Sequence, residues 1–209
     1  MVAVVLPTRG LVFTEVIEAL ESYKRKCFLD IYYSYNLPIP DAQNILTDKA
    51  LAKDFINHIW FVEEDTVPPS GSLEQLLEVN ADIACIDYSV KGYSCVARSD
   101  KTGEVLWCGL GCTLVKRKVF ENLEKPYFRT DKSLRLNDWK WISNPAKYGG
   151  LDIWFCIKAR EKGFKIIQVP GECRHLKVGE YTVNEKNEGL HKIIIKEPIK
   201  KQQIIDEGR

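Results

Sequence analysis

The sequence predicts an α/β fold built on a mostly parallel sheet. Three observations carry this. Two apolar runs, Val2–Leu6 and His58–Val62, read as strands buried on both faces, as in parallel sheets. Segments of helical spacing lie between the strand-like runs. Breakers, Pro7-Thr8-Arg9-Gly10 and Pro68-Pro69, end the two runs sharply. The opening order β-α-β-α-β implies parallel pairing through right-handed crossovers.

Taken in order, Val2–Leu6 is the first strand. From residue 12 to about 23, Val12, Val16, Ile17 and Leu20 follow helical spacing, while Glu15, Glu18 and Glu21 face outward. Phe28–Ser34 reads as a second strand. Asp41 caps a helix expected to run to about Asn57, and His58–Val62 is the third strand. Ser70 or Ser72 caps a short helix through Leu77, and Asp82–Tyr88 is a fourth strand. Val90–Leu106 is polar and glycine-punctuated, as expected for a hairpin or long loop. Gly109–Val115 is a glycine-led strand and Lys118–Leu123 a short helix. Lys125–Tyr148 lacks periodicity and reads as an irregular insertion rich in aromatics. Asp152–Lys162 has helical spacing stopped by Gly163, and Lys165–Val169 is a last strand ended by Pro170-Gly171. We divide the chain into a domain at 1–177 and a C-terminal extension at 178–209. The extension is expected to pack on the domain as a strand and helix, with a basic amphipathic membrane contact or a homodimer contact as the alternatives.

Composition narrows the class. The chain has 209 residues, 45% hydrophobic and 28% charged, with net charge +1. That suits one soluble domain with a full core and supplies no basic field for nucleic acid. No run reaches the ~18 apolar residues of a membrane helix, and the start lacks the basic region of a signal peptide. Seven scattered cysteines, an odd number, favour free thiols in a reducing cytoplasm over a disulfide framework. One Met with many Lys, Glu and Ile leans toward a thermophile, in which a disulfide would be admissible.

Four stretches carry chemistry. Glu63-Glu64-Asp65 follows the third strand directly, at the carboxyl end, where open α/β sheets bind ligands. Adjacent carboxylates repel unless a cation or polar ligand intervenes. Mg²⁺ or Mn²⁺ is the simplest partner, because hard cations take oxygen ligands and bridge to phosphates. Glu63 and Asp65, two apart on an extended chain, project to one side. A solvated acidic turn is the plain alternative. Gly149-Gly150-Leu151-Asp152 opens a helix. Asp152 serves there either as an N-cap or as a general base, and Gly150 lets a substrate approach the backbone. His175 follows a strand and a Pro-Gly turn. Pro7-Thr8-Arg9, at the end of the first strand, can meet a phosphate or base edge through Arg9.

Taken together, Val4-Val5-Leu6-Pro7-Thr8-Arg9, Ala42-Gln43-Asn44, Phe61-Val62-Glu63-Glu64-Asp65-Thr66, Gly109-Leu110-Gly111-Cys112, Leu151-Asp152-Ile153-Trp154 and His175 resemble, in that order, a GT-A-fold glycosyltransferase of the family-two type. The resemblance covers roughly residues 2–177. It implies a Rossmann-like α/β/α sandwich with a mostly parallel central sheet and a small antiparallel element. It also implies sugar transfer from a nucleoside-diphosphate sugar, UDP- or GDP-linked, to a carbohydrate, glycan or glycoprotein hydroxyl, with Mn²⁺ or Mg²⁺ as cofactor. By the same resemblance, Glu63-Glu64-Asp65 stands at the DxD position, with Glu63 where the family has Asp. Asp65 is the direct metal ligand, His175 completes the coordination, and Glu63 reaches a ribose hydroxyl or metal-bound water. Pro7, Thr8, Arg9, Glu63 and Glu64 contact the nucleotide. Asp152 is the catalytic base, and the acid that precedes it in the family is Leu151 here. Gly109 and Gly111 line the donor-sugar and acceptor pocket. Trp139, Trp141 and Tyr148 either stack on acceptor rings or pack the insertion itself. An inverting transfer is the leading expectation. The alternatives are a retaining transfer and a non-catalytic carbohydrate- or nucleotide-sugar-binding module. The expected location is the cytoplasm, with peripheral contact at the inner membrane face as a variant.

Overall fold

The third strand, β3 (His58–Val62), sits inside a six-stranded sheet, with Ile59, Trp60, Phe61 and Val62 fully buried. A computed structural model of the chain describes residues 1–24, 29–177 and 201–206. The sheet order is β12-β5-β9-β3-β1-β2, formed by β12 (Ile166–Glu172), β5 (Ile83–Asp87), β9 (Cys112–Lys116), β3, β1 (Val2–Leu6) and β2 (Leu29–Tyr33). β1 pairs in parallel with β2 and with β3, placing Val4 beside Ile31 on one side and Trp60 on the other. β12 is parallel to β5. β9 enters antiparallel between β3 and β5, with Phe61 opposite Thr113 and Cys85 opposite Thr113 from the other side.

Alternation along the strands sorts side chains into two layers. Ala3, Val5, Ile59 and Phe61 face a core that also holds Leu46 and Ala50 of α2 (Asp41–Leu51) and Phe155, Cys156 and Ala159 of α5 (Leu151–Glu161). Val4, Leu6, Trp60 and Val62 face a second core with Val16, Leu20 and Tyr23 of α1 (Thr14–Lys24) and Leu73 and Leu76 of α3 (Ser72–Glu78). The result is an α/β/α sandwich with a mostly parallel sheet, as predicted. In the first core, Phe61, Phe120, Phe128 and Phe155 form an aromatic cluster; Phe120 stacks on Phe155 at 5.4 Å and Phe128 lies 5.0 Å from it. Burial of these rings against β3 fixes the N-terminal half of α5 over the sheet.

The antiparallel part comprises β6 (Ser89–Val90), β7 (Tyr93–Ser99) and β8 (Val105–Cys108), in the stretch read as a hairpin or loop. Of the C-terminal extension, Lys201–Ile205 forms β14, parallel to β7. Residues 178–200 and 207–209, Cys27 and the expected strand start at Phe28 lie outside the described residues. The other six cysteines are free thiols. Among the described residues no helix is long and apolar enough to cross a membrane.

Several boundaries differ from expectation. α2 stops at Leu51, short of Asn57. The Arg117 guanidinium donates to the carbonyls of Leu51 (2.9 Å), Lys53 (2.9 Å) and Ile56 (3.3 Å), satisfying the last helical carbonyl and two in the turn that follows. Neither Asp41 nor Ser72 caps its helix: the N-cap positions are Pro40 and Gly71, without side-chain caps, and the Ser72 hydroxyl meets Tyr23 Oη at 2.9 Å instead. The strand after Gly109 starts at Cys112, and α4 is Arg117–Glu121. The insertion at 125–148 is not wholly irregular. It contains the hairpin β10 (Lys132–Arg135) and β11 (Lys140–Ser143), whose turn Arg135 ties by a forked pair to Asp138 at 2.8 and 2.7 Å. Two further strands of two residues, β4 (Thr66–Val67) and β13 (Arg174–His175), pair with one another.

Candidate functional site

The site grows from the carboxyl end of β3. The buried strand delivers Glu63, Glu64 and Asp65 to the top of the sheet, and β4 then turns the chain away. Each acid has a different environment.

Glu64 faces the first loop. It accepts the Arg9 backbone N–H at 2.8 Å and also pairs with the Arg9 guanidinium. The Glu64 side chain is 11% exposed and that of Arg9 79%. The hydrogen bond to Glu64 raises Arg9 further above its ordinary range. The loop itself is folded by Thr8, whose hydroxyl accepts the Gly10 N–H at 2.9 Å and donates to the Leu11 carbonyl at 3.0 Å. Gly10, at φ 105°, adopts a backbone that a side chain would oppose. The Phe13 N–H closes the loop onto the Glu64 carbonyl at 3.0 Å.

Glu63 turns the other way. Desolvation, then the charges of Asp65 and Asp152, push its carboxyl up to about 7, although His175 and a hydrogen bond from Tyr88 oppose the shift. Tyr88 Oη donates to Glu63 Oε2 at 3.3 Å. The Tyr88 ring packs against Gly109 and Gly111. A Cβ at Gly111 would stand 2.8 Å from the ring and 2.9 Å from Thr66 Oγ1, and one at Gly109 would overlap the phenol oxygen. These glycines therefore sit behind Tyr88.

Asp65 meets His175 through the β4–β13 pairing. His175 is opposite Thr66, and the Leu176 N–H donates to the Asp65 carbonyl at 2.7 Å. His175 Nδ1 bonds the Ser89 carbonyl at 2.9 Å, and Nε2 lies 3.5 Å from Asp65 Oδ2. Burial pulls the imidazole down, but Asp65, Glu63 and the Ser89 carbonyl outweigh it and the net direction is up.

Asp152 occupies the second position of α5, and the N-cap is Gly150 at φ 75°. Its carboxylate accepts the Ile153 N–H at 2.9 Å. Burial pushes it up to about 6, against the backbone bond to Ile153. Its charge is felt at both Glu63 and Tyr88, so the α5 start and the β3 end share one electrostatic environment.

A cavity of ≈ 180 Å³ opens beside these groups, lined by Pro7, Thr8, Arg9, Glu63, Glu64, Asp65 and Tyr148 of the predicted set, together with Ala42. Tyr148 is 87% exposed and stands at the rim. Trp139 and Trp141 are not among its lining residues; they line another cavity. Sequence reading missed Tyr88 and Ser89. Their one legible signal was position, at the carboxyl end of the expected strand 82–88.

Among the described residues no group of three or more His, Cys, Asp and Glu side chains forms a ready metal cage. The Asp65–His175 pair nevertheless fits a shared hard or borderline cation. Two adjacent ligands about 2.1 Å from one ion stand roughly 3 Å apart, close to the observed 3.5 Å. The Nδ1–Ser89 contact also leaves Nε2 as the free lone pair in the neutral ring.

No family model matches the chain, and no curated protein matches it. Solved structures do. Protein A197 from STIV superposes with a TM-score of 0.62 at 18% identity, over 86% of each chain. The mannosyltransferase PcManGT from Pyrobaculum calidifontis, in complex with GDP-Man and Mn²⁺, superposes with a TM-score of 0.51 at 13% identity. That match covers 82% of this chain and 55% of the mannosyltransferase. At such identities the likeness is one of fold, and the fold is the Rossmann-type GT-A arrangement.

Proposed function

We propose that the chain is a metal-dependent glycosyltransferase that moves a sugar from a UDP- or GDP-linked donor to a carbohydrate hydroxyl with inversion. The observation that carries this reading is the convergence of Glu63, Asp65, Asp152 and His175 at the carboxyl end of β3, beside the Arg9 loop cavity. The fold shared with a GDP-mannose-bound transferase supports it.

In this reading the nucleotide enters the cavity between Pro7-Thr8-Arg9 and Glu63. Arg9, held by Glu64 yet largely exposed, offers its remaining N–H donors to a phosphate. Asp65 and His175 hold Mn²⁺ or Mg²⁺, which when bound neutralises charge on the departing diphosphate. Glu63, steadied by Tyr88, accepts a ribose hydroxyl or an ordered water. Asp152, at about 6, is mostly ionised at neutral pH and accepts the proton of the incoming hydroxyl. Attack from the α5 side, opposite the nucleotide, inverts the anomeric carbon.

A screen of nucleotide sugars for Mn²⁺-dependent thermal stabilisation identifies the donor, since a ligand bound only by the folded state raises its stability. No stabilisation by any donor contradicts the reading. Leu151, standing where the family carries an acid, favours a second reading: a module that binds nucleotide sugar without transfer. Donor binding without turnover in the presence of any acceptor selects that alternative.

A further inference from the structure

A cavity of ≈ 840 Å³ lies away from the acids, between the last turns of α5, the start of β12 and the hairpins β7–β8 and β10–β11. Asp152 is the second residue of α5 and Arg160, a lining residue, stands near its end, about 12 Å further along the helix axis. The volume falls in the range of small-molecule sites.

Its walls are amphipathic in a specific way. Trp139 and Trp141 both line it, and Leu134 stands opposite Trp141 in the hairpin register. Trp154 backs Trp141, with ring centroids 4.7 Å apart. Trp139 takes φ 53°, a left-handed backbone that a bulky residue rarely adopts, at the last position of the β10–β11 turn.

Four of the charged lining groups, Arg98, Glu104, Arg160 and Glu161, are already engaged. Arg98 donates to Gln168 Oε1 at 2.6 Å and to the Gly103 carbonyl at 2.9 Å. Arg160 faces Glu104 at 3.8 Å, and Glu161 pairs with Lys158 at 2.6 Å. Arg98 keeps its charge, since both partners are neutral, but both its terminal nitrogens are engaged and Arg160 has Glu104 beside it, so neither presents an open fork to a carboxylate or phosphate. A neutral polyhydroxylated ligand would meet spare guanidinium N–H donors and spare carboxylate lone pairs, and a hydroxyl can use both. A pyranose ring also carries an apolar C–H face that suits an indole wall.

We propose that this cavity is a binding site for a neutral oligosaccharide, separate from the acid cluster. It does not rest on the transferase reading: a chain without turnover would bind the same glycan here.

The test is calorimetric titration with maltohexaose, mannohexaose and cellohexaose, in EDTA and without nucleotide. At least one hexaose is expected to bind saturably. Trp141→Ala and Arg160→Gln each weaken that binding about ten-fold or more, the scale of losing one anchor contact, and Asp65→Asn leaves it unchanged. If Trp141→Ala no longer melts cooperatively, Arg160→Gln decides. Absence of binding by all three sugars overturns the proposal, as does affinity unchanged in the folded cavity variants. Loss of binding in Asp65→Asn also overturns it, because the sugar would then occupy the acid cluster. Failure of transfer assays alone leaves this result standing.

Discussion

Tyr88 Oη donates to Glu63 Oε2 at 3.3 Å, and Gly109 and Gly111 leave the space in which the Tyr88 ring lies. A strand end, a second strand end and a glycine turn thus position one carboxylate.

Gly109→Ala is expected to displace the phenol and lower stability by about 1–3 kcal/mol, the usual cost of overpacking a buried site. Tyr88→Phe keeps the ring and loses only the hydroxyl, so its melting temperature should change less while donor affinity still falls. Thermal melts and donor titrations on the two variants separate the effects.

Glu64 acts through Arg9. Glu64→Gln keeps the size but removes the charge that holds the guanidinium, so donor KM should rise about ten-fold, the scale of one charge-assisted bond. Steady-state kinetics with saturating acceptor check this; an unchanged KM would detach Arg9 from the nucleotide.

Without metal, pH should act on the fold chiefly through three groups of the acid cluster; Asp87, raised by burial, adds to them and His58, lowered by burial, opposes them. Glu63 rises from 4.5 to about 7, Asp152 rises from 3.8 to about 6, and His175 is also raised. Each has a folded pKa above its unfolded value, so each favours the folded state at low pH and loses that contribution as pH rises through the folded pKa. At about 1.4 kcal/mol per unit, Glu63 alone loses on the order of 3 kcal/mol between pH 4.5 and 7. The metal-free protein should therefore melt at lower temperature at pH 7.5 than at pH 5. Glu63→Gln should flatten that slope. A rising melting temperature over this interval would contradict the assigned environments.

Asp152→Asn should lower turnover by ~10²–10⁴, the range for losing a general base, while leaving nucleotide affinity unchanged. Single-turnover kinetics and calorimetry together read both quantities. Unchanged turnover removes Asp152 from the base role.

Much of the fold was legible because its strands are continuous apolar runs ended by breakers. Val2–Leu6 and His58–Val62 form strands at those residues, and the acids stand at the predicted sheet end. The placement of His175 beside Asp65 was not legible from local pattern: it depends on two strands of two residues each, too short to show any periodicity. Tyr88 was missed for a related reason, since its role depends on two glycines distant in sequence. Trp139 and Trp141 were visible as aromatics, but their destination follows from a hairpin whose turn, Leu136 to Trp139, contains neither Gly nor Pro. At the early stop of α2 Arg117 takes up the last helical carbonyl, and no helix-end signal near Leu51 announces it.

The central claim is that Asp65 and His175 jointly hold a cation that binds the donor's diphosphate. Calorimetric titration of GDP and UDP, with Mn²⁺ and with EDTA, tests it most directly in wild type, Asp65→Ala and His175→Ala. Wild type should bind at least one nucleotide far more tightly with Mn²⁺, and both variants should lose that difference while still melting cooperatively. Nucleotide binding that is equal in Mn²⁺ and EDTA, or a Mn²⁺ effect that survives in both variants, would contradict the account.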